Sequence, residues 1–304
     1  LFAVIKTLMQ KFIGFDSFET KWLNAGGATT HIIWSGIRYF SFFTDASNMG
    51  ANMGAAIMFF GIASLYMRSA LCKIYYSCIA ILALYALFLS GTRGAMIVPL
   101  AGLALYTLIS KQTKMVIGGA SMLLFIYIFF AFTTIGQSNS SIRRIRTAFN
   151  PTKDASYIVR KENQKKLATY LKYKPFGEGL GLSGDGLGVK ISTRFTTSIP
   201  TDSWYVKIWV ETGIVGLILY LSMIFFTIGW GGWIIATQIK DLELKGLLSG
   251  LLCGIFGMFI NAYANSFWGQ FPTMIIAFMG LTFVLNGPYF DKEIRIKKLT
   301  VSNK

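Results

Sequence analysis

Long uncharged apolar runs, separated by short polar turns and one extended polar segment, dominate the chain. Seven of them approach the roughly 20 residues that a helix needs to cross a hydrocarbon core about 30 Å thick. They are Asn48–Met67, Ile74–Ser90, Gly94–Ser110, Met115–Gly136, Gly213–Ile239, Gly246–Asn265 and Trp268–Gly287. The second and third are short for a crossing, and the fifth is long enough to tilt. Residues 246–290 carry no charge, far too long a stretch for one span, and the Asn265-Ser266 turn with Pro272 divides it in two. The pattern predicts an all-α fold: a polytopic transmembrane helix bundle.

Composition agrees. Hydrophobic residues make up 54% of the 304 and charged residues 14%, against roughly 25% charged in a soluble domain. A soluble globular enzyme, a disordered chain and a disulfide scaffold are excluded. Cys72, Cys78 and Cys253 lie in or beside apolar runs without metal-type spacing and read as small hydrophobes. Nothing points to nucleic acid, a metal or a cofactor. The chain opens on Leu1 without a signal-peptide pattern, so a truncated amino terminus is expected.

Charge then sets the expected orientation, because short cytoplasmic loops retain Lys and Arg. Arg68 and Lys73, Lys111 and Lys114, Lys240 and Lys245, and the tail Lys292, Arg295, Lys297, Lys298 and Lys304 fall in alternate connections. This predicts an extracytoplasmic segment 1–47, four spans in 48–136, a large extracytoplasmic loop 137–203, an interfacial helix and three spans in 204–287, and a basic cytoplasmic tail 288–304. The outer loop carries twelve Lys/Arg against five Asp/Glu. Such a surplus suits anionic lipid headgroups or an anionic substrate, most simply a phosphate or diphosphate.

Within the loop, Tyr157–Tyr173 predicts a helix, preceded by Asp154 and Ser156 as caps and stopped by Pro175. Leu167, Tyr170 and Leu171 give it an apolar face expected to lie on the bilayer. Arg160, Lys161, Lys165, Lys166 and Lys172 surround that face, and a guanidinium such as Arg160 can grip phosphate oxygens bidentately. Pro175-Phe176-Gly177-Glu178-Gly179-Leu180-Gly181-Leu182-Ser183-Gly184 follows. Gly179, Gly181 and Gly184 match dinucleotide-loop spacing, but without a βαβ unit they mark tight turns or close approach to a ligand. Arg93, in Ser90-Gly91-Thr92-Arg93-Gly94, and Arg38 stand where an anionic head group could meet the membrane surface. The single histidine, His31, is neither a convincing ligand nor part of a triad. Asp202, in Pro200-Thr201-Asp202-Ser203, is a candidate helix cap and a candidate base. Glu211, nine residues on and about 13.5 Å along a continuous helix, reads as a structural partner.

In this order and spacing, across about residues 36–290, the pieces resemble the carboxyl-terminal region of the O-antigen ligase and polysaccharide polymerase superfamily of bacterial membrane proteins. Arg38–Asn48, Ser90–Ala95, Arg160 with Pro175–Gly179, and Asp202–Gly216 are similar to its successive motifs. The resemblance implies transfer of a glycan from an undecaprenyl diphosphate carrier to an acceptor sugar, without metal, outside the cytoplasmic membrane. Arg93, Arg160 and Asp202 then form the expected catalytic set, with Arg38, Lys161, Lys165, Glu211, Gly179 and Gly181 as substrate contacts. Implied partners are the lipid-linked oligosaccharide, the acceptor glycan, anionic lipid and envelope polysaccharide assembly proteins. Ligases of this group commonly carry a histidine where this chain has Thr201-Asp202, which favours a polymerase over a ligase. A lipid-linked oligosaccharide flippase is the alternative from another class, though it would spread polar residues through its helices.

Overall fold

The computed structural model describes residues 1–33, 36–110, 117–118, 120–121, 124–125, 128–129, 132–136, 146, 155–184 and 188–302. Most of the expected span Met115–Gly136, the start of the outer loop, the Lys111–Lys114 connection and the cap residue Asp154 lie outside them. The described residues are almost entirely helical: α1 (Phe2–Phe12), α2 (Ser17–Trp22), α3 (Ala28–His31), α4 (Ala46–Tyr66), α5 (Ala70–Leu89), α6 (Ile97–Ile109), α7 (Ala155–Leu171), α8 (Gly188–Ile191), α9 (Trp204–Thr237), α10 (Leu242–Asn261), α11 (Thr273–Leu285) and α12 (Gly287–Ser302). A two-residue antiparallel ladder, β1 (Ile32–Ile33) with β2 (Gly36–Ile37), carries the chain from α3 towards α4.

Four helices among the described residues, α4, α5, α9 and α10, are long and apolar enough to cross a membrane, and α11 with α12 forms a fifth candidate bent by 58°. The fold is a polytopic helix bundle. At its centre α10 packs against α4 and α6, and α4 also meets α5. Small residues permit the approach, since apolar side chains gain nothing by leaving lipid for one another. A Cβ on Gly250 would sit 2.7 Å from the Phe59 carbonyl oxygen, on Gly254 2.9 Å from that of Ala55, and on Gly257 2.1 Å from that of Val98. The outer helices instead expose apolar side chains, among them Ile218, Phe226 and Trp233 of α9 and Ile275, Met279 and Phe283 of α11.

Two expectations change, and the basic tail takes a defined form. The seventh run divides: Phe267 and Trp268 are buried in the connection after α10, and α11 begins only at Thr273. The basic tail is helical, and its buried Asp291 accepts from the backbone N–H groups of Lys240 and Asp241 at 2.9 and 2.7 Å. Lys298 of α12 bonds Asp241, whose carboxylate also faces Arg68 at 3.7 Å. The turn before α5, the turn before α10 and α12 therefore share one end of the bundle. Finally, α7 does not turn its apolar face to lipid. Leu167 and Leu171 are buried against Ile199, Val206 and Val210, because that segment offers the apolar surface nearest to them.

α9 is interrupted. Its 34 residues would extend about 51 Å as one helix, well beyond a hydrocarbon core of about 30 Å. Gly213, with φ of 69°, breaks the helix, leaving 214–237 to span about 36 Å. The break receives the loop after α7. Val215 N–H donates to the Pro175 carbonyl at 3.2 Å, and the N–H groups of Glu178 and Gly179 donate to the carbonyls of Val210 and Glu211 at 2.9 and 3.0 Å. A Cβ on Gly213 would lie 2.0 Å from the Pro175 oxygen.

Candidate active site

At the end of the bundle opposite the Asp241–Lys298 contact lies a cavity of about 640 Å³. The first turns of α4 and α9 face it, together with α7, the end of α3, Arg38 after β2 and the 265–270 connection. Its charged lining is Arg38, Arg160, Lys207, Asp45 and Asp202. Cations outnumber carboxylates, and the N-terminal ends of two helices add positive potential.

Each charge is held by local structure. Arg38 follows β2, donates from one terminal nitrogen to the Thr30 carbonyl and from the other to Thr92 Oγ1, both at 3.1 Å. Its Nε is buried without a hydrogen-bond partner. Burial lowers the Arg38 pKa, nearby Asp45 opposes this, and the positive charge of Arg93 adds to the lowering. Thr92 is itself buried and donates to the Ala46 carbonyl at 3.1 Å, so the Ser90–Gly94 turn braces both Arg38 and the start of α4. Arg93 stands beside this assembly rather than among the residues lining the cavity. A Cβ on Gly94 would fall 2.5 Å from Asn265 Nδ2, which keeps that turn against the 265–270 connection.

Arg160 reaches across from α7, its Nε 4.0 Å from Asp202 Oδ2. Both side chains remain partly exposed, at 36% and 44%, and so open to a ligand. Ser203, with extended backbone, is the residue at the cap position of α9, without a side-chain hydrogen bond to the helix. Asp202 sits one position earlier with φ of 51°, the left-handed region that costs a non-glycine residue roughly 1–2 kcal/mol. Such conformations gather where function demands them. The first N–H of α9, on Trp204, donates instead to the Ala262 carbonyl at 3.0 Å, which ties α9 to the end of α10.

Lys207 was not among the expected residues. One turn inside α9, its ammonium lies 5.3 Å from the centre of the Trp204 ring, and the only sequence signal was its place five residues after Asp202. His31 lines the cavity in a structural role. Nδ1–H donates to the Gly27 carbonyl at 3.0 Å, Nε2 accepts from Ala46 N–H at 3.1 Å, and the ring packs edgewise near Trp22 and Phe40. Burial above all, helped by Arg38, holds its pKa below the ordinary value and keeps it neutral.

Other expected contacts fall elsewhere. Glu211 Oε1 accepts from Ser183 Oγ at 2.7 Å. Gly179 and Gly181 adopt φ of 115° and 79° in the loop that fills the α9 break, and none of these three lines the cavity. Their motif shapes backbone because its hydrogen bonds are spent on α9. Lys161 and Lys165 are exposed on α7 and also lie outside the lining.

A helical membrane bundle with a cation-rich, carboxylate-bearing cavity at one end has the charge to receive an anionic ligand. Residues 78–221, just under half of the chain, match the family model described as O-antigen ligase, and this match supports a likeness to the O-antigen ligase and polysaccharide polymerase superfamily. The match supports glycosyl transfer at a membrane in general, with a lipid-linked glycan and an acceptor as the kinds of substrate such a family implies. No curated protein and no solved structure matches the chain. Arg38 lies outside the matched segment, yet the fold brings it to Arg160 and Asp202.

Proposed function

We propose that the protein is a polysaccharide polymerase of the cytoplasmic membrane, transferring glycan from an undecaprenyl diphosphate carrier to an acceptor sugar in a cavity open to the extracytoplasmic side. The observation that carries this reading is the meeting of Arg38, Arg160, Lys207 and Asp202, from three separate parts of the chain, around one cavity. In the proposed step, an acceptor hydroxyl attacks the anomeric carbon of the donor sugar. The bond from that carbon to the diphosphate oxygen breaks, its electron pair leaves with the lipid diphosphate, and the hydroxyl proton passes to the Asp202 carboxylate. Arg38 and Arg160 neutralise the charge that develops on the diphosphate, and Arg93 adds positive potential from the turn beside Arg38. Lys207 supplies a third positive charge. Thr201-Asp202, in place of a ligase histidine, favours growth of a repeat polymer over a single transfer.

The test combines purified protein with a lipid-linked repeat and follows both chain growth and release of lipid diphosphate. Asparagine tolerates left-handed backbone as aspartate does, so Asp202→Asn keeps the local backbone while removing the proton acceptor and the negative charge that faces Arg160. Loss of chain growth at normal protein abundance is the expected result; full polymerisation by Asp202→Asn rejects the base. A product always limited to one transfer rejects the polymerase in favour of a ligase.

A further inference from the structure

Beyond the cavity, the loop inserted at the α9 break presents three large side chains to the outside: Tyr173 is 83% exposed, Phe176 74% and Leu180 81%. An apolar cluster of this kind on an ordered loop marks an interaction surface. Its position along the bundle says which one. The loop is hydrogen-bonded to residues 210–215 of α9, and the 24 helical residues that follow Gly213 reach about 36 Å, a few ångströms more than a hydrocarbon core of about 30 Å. Gly213 therefore stands at the level where acyl chains give way to headgroups. The exposed apolar surface of α9 begins at that level with Ile214 and Val215 and continues through Ile218, so the loop's side chains adjoin a lipid-facing surface.

Charge completes the fit. Lys172 lies over the Tyr173 ring at 5.4 Å and Lys174 over the Tyr170 ring at 4.1 Å. Lys174 also bonds Glu178, and Arg194 meets the same carboxylate at 2.9 Å. Aromatic and aliphatic side chains flanked by cations match an anionic bilayer surface, apolar beneath and negative above. We propose that Tyr173, Phe176 and Leu180 form a bilayer anchor, dipping into the interface and fixing α7, with Arg160, at a set height above the lipid. The anchor replaces the apolar face of α7, which protein covers, as the loop's contact with the membrane. The proposal rests on α9 spanning the bilayer and is independent of the chemistry assigned to Asp202.

The test uses the full chain with Cys72 and Cys78 replaced by alanine and Cys253 left in the core, reconstituted in liposomes containing anionic phosphatidylglycerol. Spin labels are placed singly at Phe176→Cys, Leu180→Cys and Ile218→Cys, and collisions with oxygen and with a water-soluble nickel complex are compared. The expected result is oxygen accessibility several-fold above nickel accessibility at 176 and 180, approaching the ratio at 218. Labels at 176 and 180 that meet the nickel complex more often than oxygen, while 218 reads as hydrocarbon, overturn the anchor. Phe176→Trp, a milder change at an exposed site, gives a second reading: brominated lipid should quench its added fluorescence, and an unquenched increment likewise overturns the proposal.

Discussion

Replacing Gly213 by alanine should detach the outer loop from α9 and carry Arg160 away from Asp202. The new Cβ would meet the Pro175 oxygen at 2.0 Å and Gly177 N at 2.5 Å, and φ of 69° is a conformation alanine rarely adopts. Retaining that backbone costs roughly 1–2 kcal/mol before any clash. Straightening the helix instead forfeits the three backbone hydrogen bonds between the loop and residues 210–215, worth about 0.5–1.5 kcal/mol each. The cheaper route sets the outcome, and since the first also carries the clash, a destabilisation of roughly 1.5–4.5 kcal/mol is expected, reaching past the range of about 0.5–3 kcal/mol common for point mutants. Thermal unfolding in detergent, with limited proteolysis of residues 172–184, provides the assay. Gly229→Ala serves as control, because nothing lies within 4 Å of its would-be Cβ and the site is helical. The expected pattern is early unfolding and rapid loop cleavage for Gly213→Ala alone. A wild-type midpoint with intact loop protection would refute the reasoning that the break exists to seat the loop.

Further expectations follow from the same geometry. Arg38→Ala should slow glycan transfer by one to two decades, since a charge-assisted contact contributes about 1.5–3 kcal/mol, and Arg38→Lys should rescue little because an ammonium cannot bond Thr30 and Thr92 as a planar fork does; full turnover by either variant in the chain-growth assay contradicts the role. His31 has a folded-state pKa below its ordinary value of 6.5, so its stabilising contribution is complete above that pH and declines as pH falls from 6.5 towards the folded value. Protonation would set Nε2–H against the Ala46 N–H, and hydrogen exchange at the start of α4 should therefore quicken on acidification in wild type but not in His31→Gln. Gly257→Ala should disrupt the α6–α10 contact, its Cβ falling 2.1 Å from the Val98 oxygen, and should reduce yield of folded protein in size-exclusion profiles. On topology, an impermeant thiol reagent should label Lys166→Cys from outside intact cells and spare Leu242→Cys; strong labelling at 242 would invert the orientation.

Bundle class and most of the helices were legible in the sequence, because a membrane solvent imposes a simple rule on composition over about 20 residues. Asn48–Met67 became α4 and Gly246–Asn265 became α10 with small shifts at their ends. Three of the charged residues that line the cavity, Arg38, Arg160 and Asp202, stood out in the sequence too, by residue type and setting. Three-dimensional pairing was not. Whether Leu167 and Leu171 met lipid or protein depended on Ile199, Val206 and Val210, and amphipathicity is the same for both partners. That Lys207 joins the cavity while Glu211 leaves it depended on helix phase and on the break at Gly213. Only the tertiary structure could show that the Pro175–Gly179 glycines seat the loop against a neighbouring helix, since local sequence encodes their left-handed turns but not the surface those turns bring into contact.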